Sequence, residues 1–166
     1  MTVTTSRSAK VTLPADDQIL ITREFDAPKE LVYKAFTTPE LVKRWWHANR
    51  GEMRVAEIDL QVGGKWRYLM VGDGFEVGFH GEYLEIVPGE KIVSTEIYEG
   101  LPEGVSEKEG GTVNTATLTE ADGRTTLTIL VQAANKTSRD AIIESGMEDG
   151  LQDALDLLEQ TALSLG

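Results

Sequence analysis

Apolar and polar residues alternate along most of the middle of the chain, which is the pattern of half-buried β-strands. In KWRYLMV, for example, Trp66, Tyr68 and Met70 share one face of a predicted strand. Six further segments rich in β-forming residues are also predicted to be strands, and short turns such as GDG separate several of them. These segments are QILITREF, EMRVAEIDL, FEVGFHGEYLEIV, KIVSTEIYE, TVNTATLTE and RTTLTILVQ.

Apolar residues at helical spacing occur in two regions. DAPKELVYKAF and TTPELVKRWW follow the first strand and predict two short helices, with Asp26 and Thr38 as candidate N-caps. The region from Thr137 to Leu163 predicts one long C-terminal helix, although Gly146 and Gly150 lie within it. These glycines either allow a close approach to the sheet or leave room for a ligand or a bend.

The order of the elements predicts an α+β fold. A curved antiparallel sheet of six or seven strands would wrap around the C-terminal helix, with two short helices after strand 1. Residues 1–16 are Thr/Ser-rich and are predicted to be a flexible N-terminal segment, while residues 17–166 form a single domain. One helix covers a wide sheet incompletely, so we expect a cavity on the concave face, closed by the short helices and loops.

Four stretches carry a family resemblance: REFDAPKELVYKAFTTPELVKRWW, VGGKWRYLM, HGEYLEIVPGEKIV and ESGMEDGLQDALDLLEQ. In this order the chain resembles the SRPBCC superfamily, with its START-like or birch-pollen-allergen-like helix-grip fold. Within it the chain is similar to the Aha-type heat-shock-protein ATPase activator homologue family. The resemblance spans roughly residues 18–164 and implies a START-like domain. Members include lipid and polyketide binders, cyclases, hydrolases and co-chaperone modules, so the resemblance does not select one function.

Charge excludes several classes of partner. The formal net charge is −12, and no basic stripe is present to bind nucleic acid or an anionic membrane surface. The chain has no cysteine and no apolar run long enough for a membrane span. Its first ten residues, MTVTTSRSAK, contain no apolar signal region, so a cytoplasmic protein is expected. We predict no cofactor.

Two adjacent tryptophans, Trp45 and Trp46, raise a packing question, because neighbouring helical residues point about 100° apart and one stripe cannot bury both. Trp45 continues the apolar stripe of Leu41 and Val42 and is predicted to lie in the core. Trp46 is predicted to border the cavity. The full set of predicted ligand-binding residues is Trp46, Trp66, Tyr68, Met70, Phe79, Tyr83 and Met147.

No catalytic or metal-binding motif is recognisable, since HExxH, EF-hand, GxSxG and P-loop patterns are all missing. His47 follows a helix end, and His80 is predicted to face outward, opposite in phase to Phe79. Glu85 is the candidate carboxylate for acid–base chemistry, with a salt bridge on the strand surface as its alternative. Arg139 is predicted to lie on the outer side of the C-terminal helix.

Three functions remain open. The first is a binding protein whose hydrophobic cavity takes an apolar or amphipathic small molecule. The second is a START-like enzyme of the cyclase, dehydratase or hydrolase type, which requires a histidine or carboxylate facing the cavity. The third is a co-chaperone-like module with a chaperone-type protein partner. A homodimer could form through an edge strand or through the acidic loop GLPEGVSEKEGG.

Overall fold

The computed structural model describes residues 9–100 and 110–166, so most of the acidic loop predicted at 100–111 lies outside the described residues. The described chain contains eight strands and four helices. The strands are β1 Lys10–Thr12, β2 Gln18–Phe25, β3 Glu52–Ile58, β4 Lys65–Gly72, β5 Phe75–Val87, β6 Lys91–Tyr98, β7 Thr112–Ala121 and β8 Arg124–Gln132. The helices are α1 Lys29–Thr37, α2 Pro39–Val42, α3 Lys136–Glu144 and α4 Met147–Leu163.

All strands belong to one antiparallel sheet with the order β1-β2-β8-β7-β6-β5-β4-β3. The sheet curves around α4, and α1 and α2 make the connection from β2 to β3 at the opposite edge. The predicted α+β helix-grip fold is therefore confirmed, including two short helices after the first predicted strand. The seven strands predicted from the sequence are all present, and β1 is an additional eighth.

Of the predicted flexible segment over residues 1–16, the structure describes residues 9–16, which contact the folded domain, and residues 1–8 lie outside the described residues. Strand β1 pairs with β2, which gives its backbone groups regular partners. Ala9 is buried, and the side-chain amide of Gln152 both accepts from its N–H and donates to its carbonyl, at 2.9 and 2.8 Å. The Thr/Ser-rich composition does not indicate these contacts, because two of the partners, Gln152 and Arg139, lie more than a hundred residues away in the chain.

Arg139 also holds the N-terminal segment. Its position corrects the prediction that it lies on the outer side of the C-terminal helix. Its guanidinium is buried and donates to the carbonyl of Ala15 at 2.9 Å and to Asp140 at 3.0 Å. The residue therefore fixes α3 to the segment between β1 and β2.

The long C-terminal helix predicted over residues 137–163 is divided in two. Gly146 has a φ of 83°, a left-handed conformation that stops the helical hydrogen-bond pattern after α3. Ile143, near the end of α3, is exposed. The stripe that packs on the sheet belongs to α4 and consists of Ala154, Leu155, Leu158 and Ala162.

The C-terminal half of α4 is joined to the sheet by a buried arginine. Arg23 lies on β2 in phase with the buried Ile21 and Phe25. Its guanidinium contacts the carboxylates of Asp156 at 2.7 Å and Glu159 at 3.2 Å, and it lies 5.1 Å from the centre of the Phe25 ring. This end of the helix is thus fixed by charge as well as by packing, while the other end extends over the open part of the sheet.

Neither predicted N-cap makes a capping bond. Pro28 occupies the N-cap position of α1, and Asp26 instead accepts a hydrogen bond from the guanidinium of Arg124 at 2.9 Å. Thr38 precedes α2 as predicted, but its side chain makes no capping bond. The side chain of Asn135 does cap α3, by accepting from the N–H of Ser138 at 2.8 Å.

Candidate functional site

A cavity of about 540 Å³ lies between the concave face of the sheet and the N-terminal half of α4. The end of α1 and the segment after α2 complete its wall. All seven residues predicted to bind a ligand line it, namely Trp46, Trp66, Tyr68, Met70, Phe79, Tyr83 and Met147. Alternation along β4 and β5 had predicted which residues face inward, and the pairing of these strands brings the two rows side by side.

The two adjacent tryptophans have different environments. Trp45 is 6% exposed, stacks on Phe36 at 5.8 Å between ring centres, and donates its indole N–H to the carbonyl of Ala35 at 2.9 Å. Trp46 instead meets Tyr68 and Phe79 edge to face, at 5.5 and 5.7 Å between ring centres. Trp45 therefore fixes the segment after α2 to the core, and Trp46 presents its ring to the cavity wall.

Trp66 has a structural role in addition to lining the cavity. Its indole N–H reaches over Gly81 and donates to the carbonyl of Thr95 on β6 at 3.2 Å. A Cβ at position 81 would overlap that carbonyl, so the contact requires glycine. The hydroxyl of Thr95 also accepts a hydrogen bond from the backbone N–H of Glu82 on β5, at 2.9 Å. Replacement of Trp66 would consequently disturb the β5–β6 pairing as well as the cavity.

The cavity contains one carboxylate that the sequence reasoning missed. Glu96 follows Ile92 and Ser94 on the inward face of β6, and all three line the cavity. The amide of Asn114 donates to Glu96 Oε1 at 3.3 Å, and the hydroxyl of Thr112 donates to Asn114 Oδ1 at 2.9 Å. Burial raises the pKa of Glu96, and the bond from Asn114 opposes the shift. The alternation of β6, which places Glu96 in phase with Ile92, was the signal available in the sequence.

Two tyrosines add neutral polar groups to the cavity. Burial is the main cause that raises the pKa of both Tyr68 and Tyr83, and the neighbouring Glu96 carboxylate adds to the effect on Tyr68. Both phenols are therefore uncharged near neutral pH. Within residues 9–100 and 110–166, neither hydroxyl has a hydrogen-bond partner in the structure, so each is available to a ligand.

Two basic residues, His47 and Arg50, line the cavity on the segment after α2. His47 Nδ1 accepts from the backbone N–H of Asn49 at 2.9 Å. Arg50 contacts the carboxylate of Asp153 on α4 at 2.9 Å and donates to the carbonyl of Ala48. The positive charge of Arg50 is thus already paired across the boundary between this segment and the helix.

The other titratable candidates lie outside the cavity. His80 is on the opposite face of β5, as its phase predicted, and its Nδ1 is 2.9 Å from Glu99 Oε2. Glu85 is exposed and contacts the ammonium of Lys91 at 3.2 Å, so it is a surface ion pair. The prediction of Glu85 as the candidate acid–base carboxylate is therefore wrong, because the carboxylate that faces the cavity is Glu96.

The described part of the chain has neither a metal-binding cluster nor a helix that could span a membrane. No cluster of three or more His, Cys, Asp or Glu side chains that could hold a metal ion occurs there. None of its helices combines the length and the low polarity that crossing a bilayer requires.

Comparison with known proteins identifies the family. Residues 26–162 match the family model described as Activator of Hsp90 ATPase homolog 1-like protein. The chain belongs to this family. The match supports the resemblance to Aha-type proteins of the SRPBCC superfamily, and it fits either a ligand-binding or a co-chaperone-like module. The comparison with curated proteins found no match.

Solved structures share the fold over almost the whole chain. A crystal structure of a protein from Rhodobacter sphaeroides is 24% identical, with a TM-score of 0.84, covering 94% of this chain and 99% of the other. One from Chromobacterium violaceum is 29% identical, with a TM-score of 0.75 and coverages of 89% and 98%. A solution structure from Arthrobacter aurescens is 24% identical, with a TM-score of 0.80 and coverages of 93% and 91%. These similarities support the helix-grip fold.

Proposed function

We propose that this protein binds an apolar or amphipathic small molecule in the cavity between the sheet and α4. The observation that carries the proposal is a cavity of about 540 Å³ with a mainly aromatic and aliphatic wall. Cavities of this size lie within the range of small-molecule sites, and burial against such a wall drives binding.

The wall favours shape over fixed polar recognition. Trp46, Tyr68 and Phe79 form a connected group of rings on one side, while Met147 and Leu151 of α4 lie on the other. Few polar groups are available to discriminate between ligands of similar size. We therefore expect affinities of about micromolar or weaker, because ordering the ligand offsets much of the gain from burial.

Binding of the uncharged dye N-phenylnaphthylamine tests the proposal. All three tryptophans of the chain line the cavity, so a bound dye that accepts energy from tryptophan should quench their emission. We expect saturable dye fluorescence with one site per chain and a matching loss of tryptophan emission. A linear, non-saturating increase would contradict the proposal.

A pair of substitutions on α4 shows where the dye binds. A Cβ added at Gly150 has no neighbour within 4 Å, so Gly150→Leu should fill part of the cavity without a collision at its Cβ. Glu148→Leu places the same side chain on an exposed position two residues away. Gly150→Leu should weaken dye binding, whereas Glu148→Leu should leave it unchanged. Equal effects of the two variants would mean that the dye binds elsewhere.

The family description supports a second proposal, in which the domain acts as a co-chaperone-like module on an Hsp90-type ATPase. This activity would use the surface of the domain and does not require an occupied cavity. The ATPase rate of a purified Hsp90-type protein, measured with and without this chain, tests it directly. A rate that this chain leaves unchanged at saturating concentration would contradict the second proposal.

The enzyme hypothesis requires a histidine or a carboxylate at the cavity, and His47 and Glu96 meet this condition. Among the described side chains, the two make no hydrogen bond to each other, and neither is hydrogen-bonded to a serine or threonine hydroxyl. We therefore rank an enzymatic function below ligand binding. Chemical conversion of a bound ligand by the protein would reverse this ranking.

A further inference from the structure

We propose that the cavity selects organic cations, and specifically apolar molecules that carry one protonated amine, with Glu96 as the group that pairs with the amine. The inference rests on the proposed function, because it names the class of ligand for the same cavity.

Glu96 is a carboxylate without a cation. Its only hydrogen-bond partner in the described part of the chain is Asn114, which donates to Oε1, and no Lys, Arg or His there lies within ion-pair distance. An ionised carboxylate in an apolar cavity loses part of its hydration, and a single amide bond does not replace it. A bound ammonium group would supply the missing opposite charge. Because the folded protein already bears this cost, pairing contributes directly to affinity.

The hydrogen bonds behind Glu96 favour its role as an acceptor. The Thr112 hydroxyl donates to the oxygen of the Asn114 amide, which directs the amide N–H₂ toward Glu96. One oxygen of the carboxylate thereby receives a donor, and the other has no partner in the described structure. A ligand ammonium, which has only N–H donors, complements this arrangement, and a ligand carboxylate does not.

The remaining charges of the cavity do not favour an anion. Of the described lining residues, only His47, Arg50, Tyr68, Tyr83 and Glu96 titrate or carry charge. Arg50 is paired with Asp153, and burial keeps both tyrosines neutral. The net charge of −12 adds a field over the whole molecule that attracts cations and repels anions.

Aromatic rings that line the same cavity as Glu96 add a second interaction with a cation. Tyr68 is one of them, and its ring contacts those of Trp46 and Trp66. The electron-rich faces of such rings attract ammonium groups. Carboxylate and rings together therefore distinguish an amine from an alcohol of the same shape.

Three ligands of the same chain length and different head groups test the inference: octylamine, octanol and octanoate. The affinity of each is measured by its competition with N-phenylnaphthylamine for the wild-type protein at neutral pH. The expected order of affinity is amine, then alcohol, then carboxylate. An ion pair with the carboxylate in place of a hydrogen bond from an uncharged hydroxyl predicts that the amine exceeds the alcohol by about tenfold to a hundredfold. This comparison requires no variant and so does not depend on the folding of one.

A matched pair of charge-removing variants assigns the effect to Glu96. Glu96→Gln retains the shape of the side chain, and it should abolish the preference for octylamine over octanol. Glu82→Gln removes the same charge from the opposite face of the sheet, where Glu82 is 44% exposed, and should retain the preference. Thermal unfolding of both variants establishes that they are folded.

The outcomes separate this inference from the proposed function. Saturable dye binding with octanol equal to or tighter than octylamine would overturn the inference and leave the cavity a binding site. A preference for octylamine that persists in Glu96→Gln would also overturn it, because attraction to the whole molecule would then be the cause. Failure of the dye and of all three octyl compounds to bind would overturn the proposed function itself.

Discussion

The outward-facing side of the sheet carries a compact charged cluster around Glu99. Arg67 on β4 donates through Nε to Glu99 Oε2 and through a terminal nitrogen to Oε1, both at 2.9 Å. His80 on β5 lies 2.9 Å from the same carboxylate. These contacts lower the pKa of Glu99 to about 2, with the Arg67 hydrogen bond as the main cause. The cluster connects β4 and β5 to the residue that follows β6, on the side of the sheet away from the cavity.

We predict that Glu99→Gln weakens the pH dependence of stability in acid. A depressed pKa means that the ionised carboxylate stabilises the fold above its ordinary value of 4.5, and that this contribution is lost as pH falls toward about 2. Because the group is partly exposed, its contribution is about 1 kcal/mol or less. The free energy of unfolding, measured with urea at neutral pH and near pH 3, should differ less between the two pH values in the variant than in wild type.

Glu82→Gln is the control for this measurement, since Glu82 forms only an exposed contact with Lys65 at 3.5 Å. It should retain the wild-type pH dependence. An acid response of Glu99→Gln as steep as that of wild type would contradict the role assigned to the Arg67 contact.

At the scale of single residues, the sequence predicts apolar positions better than polar ones. Alternation placed Tyr68, Phe79 and Tyr83 on the inward face, because a strand allows an apolar side chain only two directions. The same alternation also placed Arg23 and Glu96 on the inward face. A charged residue at such a position does not predict burial unless the sequence also identifies a partner for its charge. Their partners, on α4 and β7, become neighbours only through tertiary folding.

At the scale of elements, the division between α3 and α4 shapes one wall of the cavity. Ser145, Gly146 and Met147 all line the cavity, so the break itself forms part of the wall. A continuous helix would carry Ile143 and Met147 along one stripe, because residues four apart lie on the same face of a helix. Apolar periodicity could not reveal the break, because it depends on the backbone conformation of one glycine.

We predict opposite effects for alanine at the two glycines of this region. Gly146→Ala should destabilise the protein by about 1 kcal/mol, because a side chain is unfavourable in the left-handed conformation. Gly150→Ala should stabilise it by up to about 1 kcal/mol, because alanine is the better helix former and its Cβ meets no neighbour within 4 Å. Chemical denaturation of both variants measures the two changes in the free energy of unfolding.

A stabilising Gly146→Ala would mean that α3 and α4 join into one helix in solution, as the sequence pattern alone predicts. Similar destabilisation by both variants would instead mean that the space beside Gly150 is filled. Each result would change the description of the cavity wall.

At the scale of the whole molecule, the eight-stranded sheet is wider than α4, the helix around which it curves. The C-terminal half of α4 fills the space above β2 through Leu155, Leu158 and the ion pairs of Arg23. The N-terminal half borders the cavity instead, with Met147, Gly150 and Leu151. The chain therefore leaves part of its apolar interior without packing partners, and a ligand there would complete contacts that most domains make with their own side chains.

Ligand binding should consequently stabilise the entire fold. The cavity exists only when the sheet and α4 are assembled, so a ligand that binds the folded state alone raises the free energy of unfolding by about 2.7 kcal/mol at a hundred times its dissociation constant. We predict that saturating octanol raises the midpoint of thermal unfolding of the wild-type protein, and that Glu148→Leu responds equally. Gly150→Leu should respond less, because its side chain occupies part of the same space. Hydrogen exchange should locate the added protection in the first turns of α4 and the inward residues of β4 and β5. A midpoint that octanol leaves unchanged, despite saturable dye binding, would place the dye outside this cavity.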